Sequence, residues 1–314
     1  MQIPTERVAP IALVLGGTLA GGNALGVRYT NRELDPLFGA GVRFGIAAVL
    51  LWALAIVRKL EAPKGRAFAG AAVFGMLNFA GAFGFAYYAL VHMKAGAAST
   101  LLALTPLVTL VLAALHGREP LRRDGLVGGG LAVVGVAFIS EASLSGAVPV
   151  LAFAAALGSV VCFGEAAVVV RSFPPVHPIM MNAVAMAVGA AALLTISAVA
   201  QESWTVPVRR QTWIALGYLV IAGSIGVFLL YLYVLKHWEA SRAVYFDVLI
   251  PPVAVLLSVW LDDEALPAGL LVGGTLVLAG AYVGAMRSAP ESRKSQRSDQ
   301  HVLARSEGLE PPTF

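Results

Sequence analysis

Ionisable side chains embedded in long apolar runs are where this chain has chemistry to offer. Glu165, Arg43 and Asp247 stand inside such runs. In lipid each ionisable group costs roughly 2.5 to 3.5 kcal/mol to insert, so each is a functional candidate. At about 1.5 Å of rise per residue, Glu165 lies ~9 Å inside one end of its run and Arg43 ~10 Å inside the opposite membrane face. A carboxylate at that depth can hold a proton or a cation, or simply accept hydrogen bonds from Asn182 at a similar level. A guanidinium can pair with a solute carboxylate, or snorkel outward to satisfy helix-end carbonyls, which is the cheaper account of Arg43. Asp247 reads as an interfacial ion pair or a helix N-terminal charge. The levels of Glu165 and Arg43 differ by about a third of a ~30 Å hydrocarbon layer, too far for one amino acid to bridge.

Other chemistries are absent from the sequence. No Gly-x-x-x-x-Gly-Lys-Ser/Thr loop is present to cradle a nucleotide, so ATP is not expected to drive the protein. His92, His116, His177, His237 and His301 are scattered. No metal ligand set and no nucleophile–base–acid constellation accompanies them, so neither metal, cofactor nor enzyme activity is expected. Cys162 stands alone in an apolar run, where it packs as a small hydrophobe.

The elements that must position these residues are membrane helices. Hydrophobic residues make up 58% of the 314 and charged ones 13%, with a mean hydropathy of +0.80, whereas soluble domains carry about 25% charged residues. Ten runs are long enough to cross a bilayer: about 9–29, 36–57, 67–91, 95–115, 124–141, 147–170, 177–200, 211–235, 240–260 and 266–286. A shift of 145 residues lays Gly81 on Gly226, Phe83 on Phe228, Tyr88 on Tyr233, Pro106 on Pro251, Glu119 on Glu264 and Gly135 on Gly280. Upstream the shift is 142, pairing Gly22 with Gly164 and Pro36 with Pro178. The fold expected is an all-α membrane protein of ten transmembrane helices in two five-helix repeats, residues 1–143 and 144–287, with a polar tail at 288–314 expected to be a disordered cytoplasmic segment. Five spans per repeat, an odd number, invert the second repeat relative to the first.

Charge gives the orientation. With the N-terminus inside, sixteen Lys and Arg fall in cytoplasmic loops and the tail, against Arg28, Arg32, Lys94, Arg209 and Arg210 outside. That bias obeys the positive-inside rule and places both termini in the cytoplasm. The net charge of +4 is thereby explained as topology rather than as a nucleic-acid surface.

Symmetry then nominates a cavity. Phe83 with Phe228 and Tyr88 with Tyr233 are matched aromatics suited to gates, Asn78 and Ser224 are polar groups near mid-membrane, and Asn23 is the repeat partner of Glu165. Packing against neighbours is the plain alternative for the aromatics. Pro106 and Pro251 each remove a backbone hydrogen bond in mid-span, so hinged helices bordering the passage are expected. Gly125-x-x-x-Gly129 and Gly269-x-x-x-Gly273 are expected packing seams, within one chain or in a homodimer.

This pattern resembles the drug/metabolite transporter superfamily, EamA-like branch, over about residues 9–286. The likeness rests on Pro106, Glu119 and Gly128/Gly129 in one repeat, on Pro251, Glu264 and Gly273/Gly274 in the other, and on Arg43. The Trp-Gly common in the first span of such repeats is Gly21-Gly22 in repeat one and Phe163-Gly164 in repeat two. The resemblance implies an inner-membrane secondary transporter that exports amino acids or related small metabolites by alternating access, its partners being that solute and the lipid. It is also similar to small multidrug exporters that bind protons and cations on a first-span Glu, a role that would fall to Glu165. A proton-coupled exporter of lipophilic cations is therefore the alternative.

Overall fold

The computed structural model describes residues 5–102, 104–118, 123–144, 149–230, 245–262 and 268–286. Every regular element among them is a helix. In chain order these are α1 (Thr5–Thr30), α2 (Pro36–Val57), α3 (Gly65–His92), α4 (Ala95–Leu102), α5 (Thr105–Leu115), α6 (Arg123–Leu144), α7 (Val150–Ser172), α8 (Pro178–Val199), α9 (Arg210–Leu230), α10 (Tyr245–Asp262) and α11 (Ala268–Met286). Five of them, α2, α3, α7, α8 and α9, run 21 to 28 residues and are apolar enough to cross a membrane. Their outward faces carry Ile46, Val49, Ile56, Val161 and Ile214 in the open. In water such a surface would aggregate; against lipid it costs nothing.

Helix ends follow local chemistry, and follow it twice. Pro36 and Pro178 open α2 and α8, where a fixed φ helps and a missing N–H costs nothing. Lys59 (φ 53) and Gln201 (φ 56) end the same two helices in the left-handed region. Beyond them Leu60 N–H donates to Ala55 O at 2.9 Å and Glu202 N–H to Ser197 O at 3.0 Å, the six-to-one bond of a Schellman motif. All of these positions are related by the 142-residue shift.

Lipid offers apolar faces no hydrophobic gain from meeting one another, so helices associate where small residues let backbones close up. In α6 and α11 a Cβ placed on Gly135 would stand 2.6 Å from Gly273 O, and one on Gly280 would stand 2.4 Å from Gly128 O. The two contacts are exchanged by the 145-residue shift, and residue numbers rise on one helix as they fall on the other. The helices therefore pack antiparallel across a local two-fold. The seam is made inside one chain, and of the glycines expected there it uses Gly273, whereas Gly125 faces Leu110 and nothing lies within 4 Å of a Cβ built on Gly129.

Two interruptions bear on the site. α3 contains a π turn over Gly75–Ala82 and α9 another over Ile221–Gly226, at equivalent places in the two repeats. The prolines do not behave alike. Leu104 forms a turn and Thr105–Leu115 starts afresh with Pro106 in its first turn, whereas α10 continues from Tyr245 to Asp262 through Pro251 and Pro252.

The long axis of α8 separates two ends. At one, Met180 and Val184 of α8 pack with Ala55, Ala71, Leu60 and Val176, and Arg118 donates to Val168 O at 3.1 Å and to Ser172 Oγ. At the other, Trp204 Nε1 donates to Ser197 Oγ of α8 at 3.1 Å, beside Glu33 and the start of α9, and Tyr29 donates to Leu261 O at 2.9 Å. The helix between has 22 residues, about 33 Å. Arg118, just past the end of α5, and Leu261, in the last turn of α10, lie at the equivalent helix ends of the two repeats and stand at opposite ends.

Candidate binding centre around Arg43

Arg43 is the largest fully buried side chain, with no exposed surface. The expectation that it snorkels to the surface fails. Its helix faces inward here, and its guanidinium is turned toward α3 and α9. Nε donates to Ser224 Oγ at 3.0 Å, Nη2 to Gly223 O at 3.1 Å and Nη1 to Tyr87 Oη at 3.4 Å. The rings of Phe44 and Phe83 flank it, with their centroids 4.9 and 5.3 Å from the guanidinium carbon. Among the described residues no carboxylate stands within ion-pair distance of this cation. Its acceptors among the described residues are neutral.

The π turn of α9 brings the centre together by aiming Ser224 and the Gly223 carbonyl at α2; π turns put backbone groups out of the α-helical register and recur at functional sites. Asn23 Nδ2 donates to the same Gly223 oxygen at 3.1 Å, while Asn23 Oδ1 is buried without a partner. Position 223 must be glycine for this approach: a Cβ there would lie 2.0 Å from Asn23 Oδ1. Its repeat mate is Asn78, on the π turn of α3, buried with an unpartnered Nδ2.

Phe83 and Phe228 sit in one aromatic cluster rather than at two mouths. Phe79 links them, 6.0 Å from Phe83 and 5.5 Å from Phe228, and Phe44 and Phe163 join at 4.8 and 5.2 Å from Phe83. Tyr88 is half-buried, 5.7 Å from His92, and its mate Tyr233 lies outside the described residues. The phenol that reaches Arg43 belongs to Tyr87, which sequence reasoning missed. Its repeat position is Leu232, so a search for matched pairs discards it. The aromatic absent at Gly21-Gly22 is supplied from α9: Tyr218 donates to Leu19 O, and a Cβ on Gly22 would lie 2.3 Å from its Oη.

Glu165 belongs to a separate site. Its carboxylate is 3.2 Å from His116 Nε2, with side chains 25% and 39% exposed. Asn182, the partner expected for it, donates to Pro178 O of its own helix at 3.2 Å instead. Depth alone had paired the two, and azimuth separates them. His116 Nδ1 lies 2.8 Å from Leu112 O. Cys162 is half-buried, as a packing residue against Gly81.

At the opposite end from His116, carboxylates hold helix N-termini of the other repeat. Glu202 accepts from Leu37 N and Phe38 N, at 3.2 and 2.8 Å, at the start of α2. Glu33 accepts from Thr212 Oγ1 and the amides of Val208 and Arg209 at the start of α9. Asp35 accepts from Ser203 N at 2.6 Å. The Glu33 carboxyl is held below its ordinary value, chiefly by the Thr212 hydroxyl and also by the two amides and the Arg209 charge, against an opposing desolvation.

Comparison with known proteins fits this architecture. A crystal structure 22% identical in sequence superposes on the chain with a TM-score of 0.64, covering 90% of this chain and 99% of that one, which shows the fold. An Archaeoglobus fulgidus protein named as an uncharacterized transporter is 29% identical over 87% of this chain and 97% of its own length. The inner membrane transporter YedA of Escherichia coli K12, also described as uncharacterized, is 29% identical over 76% of this chain and 78% of its own. A probable amino-acid metabolite efflux pump of Salmonella typhimurium is 25% identical over 83% and 89% respectively. The profile of one family matches the chain twice, over residues 8–141 and 150–285, one match for each half of the doubled helical plan: the chain belongs to the EamA-like transporter family.

Proposed function

We propose that this membrane transporter exports amino acids or related small metabolites across the inner membrane by alternating access. Its working form in this reading is ten spans in two antiparallel five-helix units, 1–143 and 144–287, with both termini and the 288–314 tail in the cytoplasm. The Glu33 end then faces outward and the His116 end inward. The single observation that carries the choice of solute is Arg43, a buried guanidinium whose acceptors among the described residues are all neutral. A buried, uncompensated cation attracts carboxylates and repels cationic cargo, strongly so away from water. The Salmonella relative named for amino-acid metabolite efflux points the same way.

A proton-coupled exporter of lipophilic cations is the second reading, and one observation favours it: Glu165, a carboxyl within a span, is only partly buried and meets His116 Nε2 at 3.2 Å. Uptake into liposomes holding the purified chain, screened over amino acids and lipophilic cations at two pH values, decides between them. Accumulation of amino acids with no competition from cations supports the first; the reverse supports the second. Flux of neither overturns both. If Glu165 is the proton site, Glu165→Gln flattens the pH dependence of flux.

A further inference from the structure

We propose that Arg43 and Asn23, both bonded to the carbonyl of Gly223, form a two-part site for an α-amino acid headgroup, the guanidinium taking the carboxylate and Asn23 Oδ1 the ammonium. The inference rests on the amino-acid reading above and adds to it the identity and geometry of the contacts.

The donor and acceptor inventory leads here. A guanidinium has five N–H groups. Three are directed at Ser224 Oγ, Gly223 O and Tyr87 Oη, the last across a long 3.4 Å. Two remain without a described partner. Arg43 lies on α2 and Asn23 on α1, yet each donates to the same oxygen at 3.1 Å, so the two donor nitrogens stand no further apart than twice that length, 6.2 Å. Within that span are a full positive charge with spare donors and a buried amide oxygen with nothing to accept. Leaving such groups unsatisfied is costly. One small molecule with a carboxylate and an ammonium on neighbouring atoms satisfies both. A carboxylate alone leaves the amide oxygen orphaned, and an amine alone meets the guanidinium charge.

In the present arrangement the Gly223 carbonyl and the Ser224 hydroxyl hold the place of the carboxylate. Both ride on the π turn of α9, so the solute replaces backbone and hydroxyl acceptors with a bidentate ionic one and frees that turn from α2. The neighbouring rings of Phe44, Phe83 and Phe79 favour an apolar side chain on the bound amino acid.

The test uses the full chain, purified and reconstituted, with leucine, 4-methylpentanoate and 3-methylbutylamine, which share a side chain and differ in headgroup. Binding is read by calorimetry and by inhibition of leucine uptake. The wild type is expected to bind leucine at least about tenfold more tightly than either analogue, the step that one hydrogen bond to a charged group represents. Asn23→Ala removes the preference for leucine over 4-methylpentanoate while leaving the affinity for the latter unchanged. Gly223→Ala, whose Cβ would overlap Asn23 Oδ1 and stand 3.3 Å from Arg43 Nη2, displaces Asn23 far more than the guanidinium and shifts the preference in the same direction. Arg43→Lys weakens leucine and 4-methylpentanoate together. Variants are compared at equal monodispersity, and if Arg43→Lys does not fold, the Asn23 and Gly223 variants decide alone. Leucine transport with an unaltered headgroup preference in Asn23→Ala and Gly223→Ala overturns the site and leaves the transport function standing. A wild-type chain that moves lipophilic cations and no amino acid overturns the function and the site with it.

Discussion

Glu202 and Leu60 occupy the same position of the same helix-ending motif in the two repeats, and they hold the two ends of the molecule by different physics. Each follows a left-handed residue, Gln201 or Lys59, and each closes a six-to-one backbone bond. Glu202 then reaches across to the amides that start α2. Leu60 instead packs on Ala55, Ala71, Met180 and Val184. The positions before α2 and α8 diverge likewise: Asp35 accepts from Ser203 of the opposite loop, whereas His177 Nδ1 accepts from Ile179 N of its own helix. Duplication has preserved the backbone plan and let the side chains specialise. In the alternating-access reading proposed above, unequal ends bias the empty protein toward one closed state, and a solute shifts that balance only through differential contacts.

The largest effect is expected where symmetry is intact. Gly135→Val and Gly280→Val each drive a side chain into a backbone carbonyl of the facing helix, and neither backbone can yield without opening the α6/α11 seam. Overpacking of this kind costs about 1–3 kcal/mol or more. The two variants should lower the thermal midpoint in detergent by matching amounts; a clear inequality would show that the seam is not a local two-fold. Next come the ends. Glu202→Ala leaves two helix N-terminal amides uncapped, a loss of about 1 kcal/mol, and should raise the labelling of a cysteine at Phe38. Leu60→Ala removes part of a half-buried contact and should leave that labelling unchanged. Equal labelling in the two variants would abolish the distinction between the ends.

Acid sharpens the contrast. Glu33 has its folded pKa depressed below the ordinary glutamate value, first by the Thr212 hydroxyl and then by the Arg209 and Val208 amides and the Arg209 charge, which together outweigh desolvation. A depressed carboxyl stabilises the folded contact at pH values above its unfolded pKa, and the contribution disappears as pH falls through the folded value. The Glu33 end should therefore loosen below about pH 4.5 while the Leu60 end, packed on apolar groups, does not respond there. Thr212→Val removes the largest cause and should move the loosening to higher pH, as followed by cysteine accessibility at Ser203. An identical acid midpoint in that variant would remove Glu33 as the cause.

Much of this plan was legible in the chain. The long apolar runs, the two register shifts and the two loop ends follow from hydropathy and self-similarity, because those properties act over whole helices. The contacts around Arg43 were not, since reading depth along one helix says nothing about which way a side chain turns. Depth alone lets Arg43 snorkel or meet a carboxylate, and lets Glu165 hold a proton or accept from Asn182; direction turns Arg43 inward and sets Glu165 beside His116. Matched pairs recovered Phe83 and Phe228 but hid Tyr87 and Gly223, whose mates Leu232 and Asn78 differ in type. Proline counting marked Pro106 and Pro251 alike, yet only the first stands at a helix break.

The smallest effect belongs to the His116–Glu165 contact at the Leu60 end. His116 and Glu165 are 3.2 Å apart but 39% and 25% exposed, and exposed pairs contribute about 0–1 kcal/mol. Glu165→Gln should therefore shift the thermal midpoint less than Glu202→Ala does, although each variant removes a carboxyl group. The reason is geometric. Glu202 joins two backbone amides at the start of a helix of the other repeat, whereas Glu165 and His116 share one partly exposed side-chain contact. A Glu165→Gln loss as large as that of Glu202→Ala would mean that charge holds both ends. The division between an electrostatic end and an apolar one would then give way to a pair of ionic latches.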